Sequence, residues 1–102
     1  MMVSQLKIGM LVEPAGDNEH FRLHPNTDKQ LPYVTVRSGT YASRHCSVVR
    51  DQLVVYIGNR KEAFVSQKEF GWSNRFVLID GKVAAMDPAA WQRIKKVKHN
   101  DY

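Results

Sequence analysis

Cysteine occurs once in the 102 residues, at Cys46, so no internal disulfide can form and the fold must be held by an apolar core. No apolar run approaches the roughly 18 residues that a transmembrane helix needs. The opening MMVSQLKIGMLVEP has neither a continuous apolar h-region nor a small-residue cleavage site, and a cytoplasmic location is the expectation. A Gly-rich phosphate loop, a serine elbow and a paired-carboxylate motif are also missing. Those absences leave little room for catalysis. Internal repeats, low-complexity runs and linkers are lacking too, so residues 1–102 are read as one domain.

What is present is ordinary for a folded chain: 43% hydrophobic and 25% charged residues, a balance that disfavours global disorder. The formal charge is +5, from fifteen basic and ten acidic residues. Its distribution is uneven. Residues 1–30 hold three basic and four acidic groups, whereas residues 31–102 hold twelve and six. A basic surface attracts polyanions through long-range electrostatics, and it also serves solubility.

Local structure is clearest from Phe76 to Val97, FVLIDGKVAAMDPAAWQRIKKV. Asp80-Gly81 separates two apolar runs and suits a type I′ turn, in which both central residues need positive φ. Strands are predicted over 76–79 and 82–85, pairing Ile79 with Lys82 and Phe76 with Ala85. Asp87-Pro88-Ala89-Ala90-Trp91 then reads as a capped, short helical turn before a last strand. Upstream, the alternation of Ile8, Met10 and Val12 predicts a first strand over about 7–13, ended by Pro14. Residues 15–32 read as a long loop pinned to the core by Phe21 and Leu23. Strands follow at 33–37 and 52–57. Residues 41–50 are the least legible, an irregular crossover with a helical turn near 42–46. Gly58-Asn59 suggests a second hairpin turn, with Arg60–Val65 as the return strand.

The opening Lys7-Ile8-Gly9-Met10-Leu11-Val12, the hairpin Ile79-Asp80-Gly81-Lys82, and Asp87-Pro88-Ala89-Ala90-Trp91 followed by Ile94-Lys95-Lys96-Val97 resemble in layout the SH3-like (Src-homology-3-like) small β-barrels. That resemblance implies an all-β barrel of five to six short strands, with a long loop after strand 1 and one 3₁₀ turn before the last strand. The long loop carries no cluster of aromatic residues with acidic neighbours, which argues against polyproline recognition. The fold hosts many functions and selects none.

Four sets of residues invite a functional reading. Both faces of the 76–86 hairpin are largely apolar, as expected of a strand pair feeding two layers of core, or of an exposed docking patch. The tail Arg93, Lys95, Lys96 and Lys98 is dense enough to attract phosphates, yet lysines also keep an edge strand from pairing. Arg60, Lys61, Lys68, Trp72 and Arg75 combine cations with a ring, the chemistry of stacking on unpaired bases; packing at the barrel end is the alternative for Trp72. His20-x₃-His24, with His45 and Cys46, has a metal-like spacing, but adjacent His45 and Cys46 diverge and solvated loop histidines are the preferred account. Cys46, His45 and Asp51 form the only nucleophile-like group, and neighbours in a strand point apart.

The resulting expectation is a non-enzymatic binding module without cofactor, metal or small-molecule substrate. It would associate with nucleic acid or a nucleoprotein complex through Arg60, Lys61, Trp72, Arg75, Lys82, Arg93, Lys95 and Lys96. Its rival is a protein-interaction or inhibitory accessory protein, of the sort phages encode, docking on a larger host protein through the apolar hairpin face.

Overall fold

A computed structural model describes residues 6–25, 32–39, 46–50, 52–66, 68 and 71–97. These residues form eight strands and one 3₁₀ helix, an all-β architecture. The strands are β1 (Val12–Pro14), β2 (Glu19–His24), β3 (Tyr33–Ser38), β4 (Ser47–Val48), β5 (Val54–Gly58), β6 (Phe76–Ile79), β7 (Lys82–Met86) and β8 (Ile94–Lys96). The 3₁₀ helix spans Pro88–Arg93. No helix among the described residues is long and apolar enough to cross a membrane.

Six strands hydrogen-bond in the order β4-β2-β3-β7-β6-β5, and β1 pairs with β8 in a separate ribbon. Neither sheet closes on itself. All pairings are antiparallel except β3 with β7, where Tyr33 lies opposite Ala85 and Val34 opposite Met86. The ribbon is stitched to β5 by a Leu11–Val55 bridge and by backbone bonds between Gly9 and Tyr56 (2.8 Å) and between Tyr56 and Met10 (2.9 Å).

The β6–β7 hairpin forms in the expected register, from Ile79 opposite Lys82 to Phe76 opposite Ala85. Asp80 and Gly81 both have positive φ, at 51° and 76°, as a type I′ turn requires. Alternation sends the two faces into two apolar clusters. Val77, Ile79, Ala84 and Met86 join Phe21, Val34, Val54 and Ile94 in the larger one. Phe76 and Ala85 join Val65 in the smaller, against which Tyr33, Ile57 and Val83 pack. The hairpin is thus largely consumed by core on both sides, and little of it remains as an open docking face.

Several expectations need correction. The first strand does not begin at Lys7, because Gly9 adopts φ 94° within a turn and only Leu11 onward is bridged or paired. Residues 15–32 are not all loop: Glu19-His20-Phe21-Arg22-Leu23-His24 is β2, with Phe21 opposite Val36 and Leu23 opposite Val34. Its period-two pattern is present, but Pro, Gly and Asn on either side obscure it. Phe21 and Leu23 do pack against the core, as expected. Gly58-Asn59 is no hairpin turn; β5 continues through Gly58 and pairs with β6. In consequence the strands number eight among the described residues, not five or six. The predicted helical turn near 42–46 falls mostly outside the described residues, apart from Cys46, which sits in a bridge next to β4.

Candidate functional site

The segment after β5 is built by its own sequence. Asn59 and Glu62 form a reciprocal cap: the Glu62 N–H donates to Asn59 Oδ1 at 2.9 Å, and the Asn59 N–H donates to Glu62 Oε1 at 3.0 Å. This is the capping-box geometry that starts a helix. One turn later the chain stops. Ala63 N–H bonds to Asn59 O (2.9 Å), Phe64 N–H to Lys61 O (3.3 Å) and Val65 N–H to Arg60 O (3.1 Å), the last two being the pair of bonds of a Schellman stop. That motif places its left-handed residue at position 64, which has φ 58° and is phenylalanine where glycine is favoured.

Val65 turns inward to the smaller cluster. Phe64 turns outward and is 94% exposed. Arg60 fastens the turn from behind, donating to the carbonyls of Ser66 (2.7 Å) and Ser73, with its guanidinium 5.4 Å from the centroid of the Phe76 ring. Ser73, itself buried, donates from Oγ to Met86 O at 2.7 Å. The segment 71–75 is thereby held against the hairpin, with Trp72 at its crest. Between the turn and this segment lies a shallow depression of about 560 Å³ lined by Lys61, Phe64, Val65 and the polar side chains of Asn59, Ser66 and Asn74.

Trp72 is 46% exposed and meets Tyr33 edge-on, with ring centroids 5.5 Å apart and planes at 90°. Tyr33 stacks in turn on His24 at 4.3 Å and 2°. These two are cross-strand neighbours on β2 and β3, and alternation puts them on the sheet face opposite Val34 and Val36. His24 Nε2 lies 2.9 Å from Thr35 Oγ1. Burial pulls the imidazole below its ordinary value of 6.5; Arg37 and Arg22 add to the effect and Asp87 opposes it.

Of the residues expected to bind, Arg60 and Lys61 lie beside the 71–75 segment that carries Trp72 and Arg75, whereas Trp72 turns to Tyr33 and Arg75 to Trp91. Lys61 is exposed, while Arg60 is committed to the turn. Arg75 is half-buried, donates to Asn74 O at 3.0 Å and lies over the Trp91 ring at 5.3 Å. Lys82 is exposed but stands at the far end of β6–β7, about 10 Å along the strand from the start of β6. Arg93 pairs with Glu19 and donates to Val36 O at 3.3 Å. Lys95 faces Glu13 at 3.8 Å, and Lys96 is exposed at the ribbon edge. Of the described tail cations, Arg93 and Lys95 thus have carboxylate partners within the fold; Lys98 lies outside the described residues.

His20 and His24 are not solvated loop residues. His20 and His24 lie on β2 and are partly buried, and four strand residues separate their side chains by about 13 Å, too far to share an ion. Among the described residues no three metal-capable side chains gather. His45 and Asp51 lie outside the described residues. Protein-family models, curated proteins and solved structures provide no match to this chain. Function must be read from the site's own chemistry. The sequence reading missed Phe64, Tyr33 and His24 as surface aromatics. Asn59-x-x-Glu62 announced the capped turn, and alternation in 19–24 announced the face of His24, but nothing local marks Phe64 as outward-facing.

Proposed function

We propose that this protein is a non-enzymatic binding module that associates with nucleic acid through the surface around Lys61, Trp72 and Arg75. The observation that carries the reading is Trp72: a large ring, nearly half exposed, held edge-on by Tyr33, in a stretch, residues 31–102, with twelve basic against six acidic groups. Rings of this kind stack on bases, while nearby cations neutralise phosphates. As to the finer fold, we read the open all-β architecture as an SH3-like small barrel, a reading supported by the 3₁₀ turn Pro88–Arg93 that leads into β8.

Oligonucleotide binding followed by fluorescence anisotropy across a salt series tests the function. Affinity should fall steeply with salt, and Trp72→Ala should weaken it while lowering the melting temperature by no more than loss of the edge contact with Tyr33 accounts for. Absence of binding at low salt refutes the reading. A second reading, docking on a protein partner, has one observation in its favour: Leu53 is 70% exposed and lines, with Val55 and Leu78, a depression of about 350 Å³ beside the Asp80-Gly81 turn. Leu53→Ser abolishing capture of a stoichiometric partner in nuclease-treated lysate would favour it.

A further inference from the structure

Phe64 stands out on two independent counts. Its backbone occupies the left-handed region at φ 58°, where glycine is at ease and a side chain is strained. Its ring is 94% exposed, so it gains almost nothing from burial on folding. Everything else in the turn favours stability: the reciprocal Asn59–Glu62 cap, the inward Val65 and the Arg60 clamp. A strained, outward phenylalanine at the one position that asks for glycine is the pattern of a residue retained for contact.

We infer that Phe64 and Trp72 form a two-ring platform for unpaired bases, so that the protein selects single-stranded over duplex nucleic acid. This rests on the nucleic-acid reading above and adds its substrate class. The Arg60 bond to Ser73 ties the Phe64 turn to the segment bearing Trp72, and the depression beside Phe64 offers the exposed amide of Asn74. Amides can hydrogen-bond the edges of a base whose face is stacked. Lys61 and Lys68 are exposed nearby in sequence and supply positive charge for the backbone. In a duplex the base faces are already stacked on one another and unavailable to a protruding ring.

The test uses the full chain with labelled oligonucleotides of about a dozen residues, single-stranded DNA, single-stranded RNA and a DNA duplex, at low and moderate salt. Single strands should bind at least about tenfold more tightly than duplex, in line with the contribution of one stacked base. Phe64→Gly should reduce single-strand affinity about tenfold, leave the weak duplex affinity unchanged and raise the melting temperature by a few degrees. Phe64→Trp should preserve single-strand affinity, and Lys82→Ala, distant from the platform, should leave it unaltered. Equal affinity for single strand and duplex, or a Phe64→Gly protein that binds single strands as well as the wild type, overturns the inference. In that case, duplex and single strand both weakened by Lys61→Ala would leave the broader nucleic-acid reading standing. No binding to any form at low salt, or selective capture of a protein through Phe64, removes both.

Discussion

Replacing Phe64 by glycine takes away a ring that buries almost nothing and relaxes a left-handed backbone, so stability should rise by about 1 kcal/mol. Chemical denaturation of the variant measures this directly. The opposite sign is expected at Ser73, where the hydroxyl donates to Met86 O in a buried setting. Ser73→Ala removes that donor and should cost about 1–3 kcal/mol. His24 carries a pH dependence. Its folded pKa is lowered from 6.5, chiefly by burial, so below that value the unfolded chain takes up a proton that the folded chain resists. The stability present at neutral pH is therefore lost as pH falls through the window just under 6.5. Melting temperatures between pH 7.5 and 5 should decline, and His24→Gln should flatten that part of the decline.

Among the elements, the β6–β7 hairpin and the Asn59–Val65 turn show what local sequence can and cannot convey. Asp80-Gly81 fixes its own turn by backbone preference alone, and the register of four cross-strand pairs follows from it. That both faces would be buried was open, because an apolar face looks the same whether core or a partner covers it. Met86 is fully buried in the larger cluster; Met86→Ala should cost about 2–5 kcal/mol through the cavity left behind. The segment after β5 misled because Gly58-Asn59 suits a hairpin, yet Asn59 is caught by Glu62 three residues on. Gly58 has φ 96°, and a Cβ there would come 2.9 Å from Glu62 Cβ. Gly58→Ala should accordingly destabilise the capped turn by about 1–2 kcal/mol, visible as faster amide exchange at Ala63 and Val65.

For the molecule as a whole, the cations divide into those that assemble the fold and those left for a partner. Arg93 links the end of the 3₁₀ helix to β2 through Glu19 and to β3 through Val36 O. Because its side chain is half exposed, Arg93→Ala should cost only about 1 kcal/mol, while changing nucleic-acid affinity less than Lys61→Ala does. Paired melting and binding measurements on the two variants separate the roles. No inspection of RIKKVK could have sorted them, since Glu13 and Glu19 lie more than seventy residues upstream and meet these cations only when β1 pairs with β8 and the 3₁₀ helix settles against β3, the partner of β2.

Local chemistry in the chain was sufficient for the strand type, the Asp80-Gly81 turn, the register of the last hairpin and the proline-started 3₁₀ helix, because each depends on backbone preferences within a few residues. Tertiary structure alone decided the rest. It drew β2 out of a stretch that composition marks as loop by giving Phe21 and Leu23 the partner β3, and it set β3 parallel to β7. It gave Arg93 and Lys95 carboxylate partners, Glu19 and Glu13, from the distant start of the chain. It also left Phe64 and Trp72 in the open, since whether a ring is covered depends on what packs above it, and that is a property of the assembled chain.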